Sequence, residues 1–342
     1  MMKLWFRHGA WRSRRAQTVI ENLQADEVRS VAVIRHAAVG DMVIIRPFLL
    51  ELRRLFPRAK ITLSLTSNYT RAAPLDLVDR VHTIYGSDRR DVSLCDQIKR
   101  ARELGHHDLL FDLAATTRSF WVCWLNFARL KIGFPYHVIQ NYLYYDITVP
   151  RSDFRYEAEN MLDMLNVFGH SHQYPLQFAM KAPALKRDKP YVLYFPSAST
   201  PDKCWPDESF GRLVRRMSGQ YPDYEHIVLK GVEEWEKIDS IVEPLSDLVN
   251  VSGISLLECE GSLSEIKGLS LINSASLLVV NDTGIRNVAI ACDTPTVGIF
   301  FATEVFRYWP RFGKHEVVFN PDGSLPEVES VFEAVEKIMS AC

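Results

Sequence analysis

Val31-Ala-Val-Ile-Arg-His36, running directly into Ala37-Ala-Val-Gly-Asp41, is the stretch on which the fold turns. The first run is β-branched and apolar, which marks a buried strand. After Asp41 the period changes: Ile44, Phe48 and Leu52, with Ile45 and Leu49, recur at three- and four-residue spacing through Arg54, and Pro57 closes the segment. Strand, tight loop and helix therefore follow one another. Working outward, Lys60–Leu65, Val81–Tyr85 and Asp108–Leu113 read as further strands, with a polar helix around Gln97–Leu104. Strands alternating with helices through short connections imply a parallel sheet covered on both faces.

Between about Pro150 and Pro190 the alternation pauses, leaving an amphipathic helix (Glu157 to Phe168) and a stretch rich in Pro, Lys and Arg from Pro183 to Pro190. It then restarts with strands at Tyr191–Phe195, His226–Lys230, Val249–Val251, Leu277–Val280 and Thr296–Phe300. Helices are expected between them at Ser209–Gly219, Glu233–Leu245, Ser264–Ile272 and Ile285–Ala291. The expected organisation is α/β, with two doubly wound Rossmann-like domains, 1–180 and 181–325, facing across a cleft. A last helix, Val328 to Met339 within 326–342, is expected to cross back onto the first domain. No repeat of solenoid length is visible.

A chain of 342 residues exceeds one ordinary hydrophobic core, in keeping with two domains. Hydrophobic residues make up 47% and charged residues 24%, the balance of a folded globular protein. A net charge of -2 argues against nucleic acid as a partner. The six cysteines lack C-x-x-C spacing, which fits a reducing cytoplasm and no zinc cluster. No run approaches a membrane span. At the N-terminus, Lys3, Arg7, Arg12, Arg14 and Arg15 interleave with Leu4, Trp5, Phe6 and Trp11. Residues 1–25 are expected to hold a basic aromatic helix, and 1–15 either rest on anionic lipid or pack on their own domain.

Parallel sheets place ligands at the carboxyl ends of their strands, which directs attention to a few loops. There is no G-x-G-x-x-G, no G-x-x-x-x-G-K-[ST] and no D-x-D, so nicotinamide chemistry, P-loop hydrolysis and a metal-bridged diphosphate all lose ground. Asn281-Asp-Thr-Gly284 opens a helix whose first N–H groups, with the Thr283 hydroxyl, suit an anion; Asp282 or Thr283 serves equally as an N-cap. Pro196-Ser-Ala-Ser-Thr-Pro-Asp-Lys203-Cys-Trp-Pro206 offers hydroxyls and an ammonium to phosphate oxygens, or is a plain capping loop with Lys203 solvated. Asp41 sits at a strand tip and a helix start, where it is either a general base or a cap. Glu233 follows a strand and Gly231, and either holds ribose hydroxyls or is a first-turn acid. His106 and His107 precede their strand and face the wrong end.

Four segments together resemble glycosyltransferase family 9, the lipopolysaccharide core heptosyltransferases. They are Gly40-Asp41 with Pro47, Leu49, Leu52-Arg53 and Phe56-Pro57; Ser199 through Pro206; Gly231-Val-Glu233; and Asn281–Gly284 followed by Thr294-Pro-Thr-Val297. The resemblance implies a GT-B fold and an inverting, metal-independent transfer without cofactor, usually from ADP-heptose. By position it makes Asp41 the base and Lys203 the group that neutralises the departing diphosphate. Ser199, Thr200, Lys203, Glu233, Asp282, Thr283, Gly284 and Asn287 are assigned to the donor, and Gly40, Arg46 and Arg118 to the acceptor side.

The chain departs from the family pattern at three places. Asn287 stands where a histidine is frequent, Phe301 replaces a glycine in the stretch Phe300-Phe301-Ala302-Thr303, and Arg46 replaces a threonine. The expected activity is sugar transfer onto a lipid-linked or core saccharide by a cytoplasmic protein, peripheral at the inner face of the membrane. A nucleotide-sugar epimerase on the same fold and a non-catalytic nucleotide or saccharide binder are the alternatives.

Overall fold

The structure is a computed structural model and describes residues 10–89, 91–135, 144–180, 182–255 and 267–340. The chain forms two compact units, Met1–Gln177 and Phe178–Cys342.

In the first unit the order is β1 (Trp11–Arg12), α1 (Arg14–Glu21), β2 (Ser30–Ile34), α2 (Val39–Ile44), α3 (Arg46–Leu55), β3 (Lys60–Thr66) and β4 (Arg80–Ile84). It continues through α4 (Leu94–Arg102), β5 (His107–Asp112), α5 (Thr117–Leu125), β6 (Ala128–Gly133), β7 (Ile147–Thr148) and α6 (Glu157–Leu162). The sheet runs β1-β7-β6-β5-β2-β3-β4, parallel except at β1. Val31, Ala32, Val33 and Ile34 are all fully buried, as a strand covered on both faces requires. β3 and β4 are laid to one side of β2 and β5 to the other, so the direction of winding reverses between β2 and β5.

The expected N-terminal helix is corrected in part. Trp11 and Arg12 form an edge strand paired antiparallel with Thr148 and Ile147, and α1 begins only after Ser13, whose hydroxyl accepts from the Ala16 N–H. Residues 1–9 lie outside the described residues.

The second unit runs β8 (Tyr191–Phe195), α7 (Asp207–Gln220), β9 (Glu225–Lys230), α8 (Asp239–Val242), β10 (Val251–Ser255), α9 (Lys267–Asn273), β11 (Leu277–Asn281), α10 (Gly284–Ala291), β12 (Thr296–Ile299), β13 (His315–Val318) and α11 (Val328–Met339). Its strands stand in the order β10-β9-β8-β11-β12-β13, all parallel, with the reversal between β8 and β11. α11 packs into this unit's core. Val331, Phe332, Val335 and Ile338 fill one helical face and join Val297, Ile299, Phe210 and Leu213 in a single cluster. Each such side chain contributes about 1.5–3 kcal/mol by burial, so this face is already committed.

The helix expected over 233–245 is also corrected. After β9 the chain turns, and helix begins only at Asp239. The Glu236 carboxylate accepts the Glu233 N–H at 2.8 Å, so a side chain satisfies a group that a helix would leave to its own first turn.

Candidate functional site

In the first unit Asp41 lies in the first turn of α2, at the carboxyl end of β2. Its carboxylate does not cap that helix: Oδ1 accepts from Arg35 Nη2 at 3.0 Å. Arg35 is buried, and its Nη1 donates to the Leu113 carbonyl at 2.7 Å and to Glu157 Oε1 at 3.1 Å. Glu157 is fully buried on α6 and takes two more bonds from Arg151, at 3.1 and 2.5 Å. Two guanidinium and two carboxylate groups thus compensate one another, the condition under which buried charge is tolerated. One oxygen of Asp41 is held from the protein side, and the side chain keeps 20% of its surface exposed. That leaves a carboxylate fixed in direction and still open to solvent.

Gly40 precedes Asp41 in the same turn. Arg46, at the start of α3, is turned to Asp76 in a two-toothed pair of 2.9 and 2.5 Å, and this bond is the main cause holding the Asp76 carboxyl below its ordinary range. Arg118 stands exposed at the start of α5, beyond β5. The turn that carries it is anchored from below by Asp112, fully buried, which accepts from Tyr145 Oη at 2.6 Å, Ser119 Oγ at 2.7 Å and the N–H groups of Ala114 and Ala115. Burial nevertheless pushes that carboxyl upward.

In the second unit β8 and β11 flank the reversal, and each leads into one of the two phosphate-like loops. Asn281, fully buried at the end of β11, joins them: its Nδ2 donates to the Pro196 carbonyl and its Oδ1 accepts from the Trp205 N–H at 3.2 Å. Both ends of the 196–205 loop are therefore tied to the residue before Asp282. Trp205 is locked further by its indole N–H to the Pro326 carbonyl at 2.9 Å.

Between those ties Ser199 and Thr200 are exposed and Lys203 is half-buried on a short 3-10 turn. No bond of the Lys203 ammonium to another described residue is present. Asp282 is engaged by Thr303, whose hydroxyl donates to it at 2.5 Å. Thr283 occupies the N-cap position of α10 with extended backbone, but its side chain makes no capping bond. The Arg286 N–H already donates to the Thr283 carbonyl at 3.1 Å, so the Thr283 hydroxyl and the N–H groups of Gly284 and Ile285 are what remain for a ligand or for water. Asn287 lies buried one turn along the same helix.

Glu233 is exposed, whereas Glu236 is buried with its carboxylate under Gly231; a Cβ on Gly231 would lie 2.1 Å from Glu236 Oε2. Glu236 is the acid fixed beyond β9, through the Glu233 N–H and against Gly231, and it carries no sequence signal that separates it from Glu233. Arg35 was missed as well, although an arginine ending an apolar strand is a legible signal of a buried partner.

Among the described residues no group of three His, Cys, Asp or Glu stands together as a metal site, and no helix is long and apolar enough to cross a membrane. Residues 98–334 match glycosyltransferase family 9 (heptosyltransferase). No curated protein matches in sequence. Among solved structures, a family 9 glycosyl transferase from Veillonella parvula superposes with a TM-score of 0.72 at 18% identity, over 94% of this chain and 99% of the other. The E. coli heptosyltransferase WaaC, solved with ADP-2-deoxy-2-fluoro heptose, gives 0.70 at 16%, over 91% and 99%. E. coli ADP-heptose LPS heptosyltransferase II gives 0.66 at 16%, over 91% and 99%. The doubly wound, GT-B-type architecture expected from the sequence is therefore found.

Proposed function

Because the chain belongs to glycosyltransferase family 9, the heptosyltransferase family, and so is a glycosyltransferase, we propose that it transfers a sugar with inversion, without metal, from ADP-heptose to a lipid-linked or core saccharide. The observation that carries this reading is the joining of the Lys203 loop to the Thr283–Gly284 helix start through Asn281. A diphosphate there meets main-chain N–H groups, the positive end of α10 and an ammonium. WaaC is a relative solved with an ADP-sugar analogue, which supports ADP as the nucleotide.

In the proposed reaction Asp41 accepts the proton of an acceptor hydroxyl as that oxygen forms its bond to the anomeric carbon. The bond to the diphosphate breaks on the opposite face, and its electron pair leaves on the phosphate oxygen, where Lys203 and the α10 amides meet the growing charge. Ser199 and Thr200 offer hydroxyls to the same oxygens, while Glu233 and Glu236 flank the ribose end and Asn287 the sugar. Gly40, Arg46 and Arg118 belong to the acceptor side, Arg46 through its hold on Asp76. The place of action is the cytoplasmic face of the membrane.

Asp41→Asn tests this. Turnover falls by about 10²–10⁴-fold while ADP affinity, measured by calorimetry, stays within about twofold. Full activity in that variant removes Asp41 from the chemistry. A thermal-shift panel selective for UDP or GDP over ADP overturns the donor assignment.

A further inference from the structure

The turn after β9, Gly231-Val-Glu-Glu-Trp-Glu236, is closed on itself. Glu236 Oε2 accepts the Glu233 N–H at 2.8 Å, and the Glu236 N–H donates to the Glu233 carbonyl at 3.1 Å. Glu236 and Ile238 are turned inward, at 8% and 7% exposure, while Val232 and Trp235 are left outside at 56% and 43%. The Trp235 indole makes no hydrogen bond and no ring contact with another described residue. A tryptophan contributes to binding chiefly by the flat apolar area it withdraws from water, and here that area is presented on a fixed turn.

Position decides what the partner is. Val280 stands opposite Phe195 and Tyr194 opposite Val228, so the ends of β11, β8 and β9 are level. In that order the strands carry the α10 amides, the Lys203 loop and the Trp235 turn. Two strand spacings separate the first from the last, about 10 Å, the reach of a ribose and its base from a diphosphate. The turn also lies close to the Lys203 loop. Ser240, in the helix that follows the turn, donates its hydroxyl at 2.5 Å to Asp207, which opens α7 directly after that loop. Burial raises the Cys204 thiol, and the charges of Asp207 and Glu236 add to the effect across the same space. Residues 232–236 hold three carboxylates and no cation, which excludes phosphate because like charges brought together cost free energy. An uncharged group belongs there. A sugar leaves its hydroxyls unpaired against Val232 and the indole, whereas a base offers a π-face.

We propose that Trp235 is the stacking platform for the nucleobase of the donor, with Val232 beside it, and that it sets a preference for purine over pyrimidine. This rests on the reading of the chain as a transferase that uses a nucleotide sugar. A two-ring base covers more of the indole than a one-ring base, so stacking strength separates the two without any reading of base edges. The diphosphate is held by other groups, and its grip does not depend on the platform.

The test is calorimetric titration of ADP, UDP and pyrophosphate into the full chain and its variants Trp235→Ala and Trp235→Phe, both of which change an exposed side chain that folding tolerates. Trp235→Ala weakens ADP by about five- to a hundredfold and UDP by less, while pyrophosphate stays within about twofold of the parent. Trp235→Phe keeps a ring and recovers most of the ADP affinity. In the parent, ADP quenches indole emission, and the share of that quenching due to Trp235 is missing in Trp235→Phe. Undiminished ADP affinity in Trp235→Ala overturns the platform, as does an equal loss for ADP and pyrophosphate, which is what a merely structural role gives. An equal loss for ADP and UDP overturns the purine preference. None of these results touches the transferase reading, which fails only where the parent itself binds no ADP or turns over without Asp41.

Discussion

Replacing Arg35 by methionine removes its hydrogen bonds to Asp41, Glu157 and the Leu113 carbonyl at once, from a residue only 3% exposed. Glu157 keeps Arg151, so its charge is not orphaned, but Asp41 loses the side-chain partner that fixes its direction among the described residues. Breaking a buried pair costs about 3–5 kcal/mol. In a unit of 177 residues each kcal/mol moves the melting temperature by roughly 2–4 °C, which gives a drop of about 6–20 °C. A carboxylate free to rotate away from the acceptor also lowers kcat per folded molecule, by about ten- to a hundredfold, with the ADP dissociation constant unchanged. Differential scanning calorimetry reads the first effect. Turnover normalised to the folded fraction, with ADP titration alongside, reads the second. A purely structural Arg35 leaves normalised kcat intact, and that outcome refutes its positioning role; a melting temperature within 2 °C of the parent refutes the stability argument.

Asn281→Ala strands the Pro196 carbonyl and the Trp205 N–H, so the second unit loses roughly 2–4 kcal/mol in denaturant unfolding and ADP binds at least tenfold more weakly; undiminished ADP affinity breaks the link between the two loops. Gly231→Ala drives a methyl group into the Glu236 carboxylate, 2.1 Å away, and weakens ADP more than Glu233→Ala does, since Glu236 is the fixed acid of the pair; the reverse ranking gives the larger share to Glu233. Burial lowers His36 and His315 from 6.5 to about 3, so the unfolded chain takes up their protons first. Stability is full above pH 6.5 and falls on acidification, by about 2 kcal/mol per histidine at pH 5. His315→Asn makes the second unit's melting less sensitive to pH between 7.5 and 5, whereas an unchanged slope shows that other groups govern it.

What could be read in advance follows a physical line. β2, β8 and β11 are covered on both faces, so their residues form unbroken apolar runs, and α11 shows a clean helical stripe. α5 shows no legible period, because Phe120, Trp121, Val122, Cys123, Trp124 and Leu125 surround the helix with apolar groups. β6, whose Ala128, Leu130 and Ile132 are buried, carries a legible alternation. The destination of α11 lay beyond the sequence, since a stripe states that a face is buried and not against which sheet.

The site divides in the same way. Loops opening helices after strands can be located from spacing alone, and Asp41, Lys203 and Thr283 were located so. What orients them cannot be, because Arg35 meets Glu157 across 122 residues and Asn281 meets Pro196 across 85. In both units these ties sit where the winding reverses, between β2 and β5 and between β8 and β11. There, adjacent strands send their following loops apart and leave space at the strand ends. A side chain that bridges such a gap must find its partner far along the chain. The residues that give the candidate catalytic groups their direction are therefore the ones that local pattern was least able to reveal.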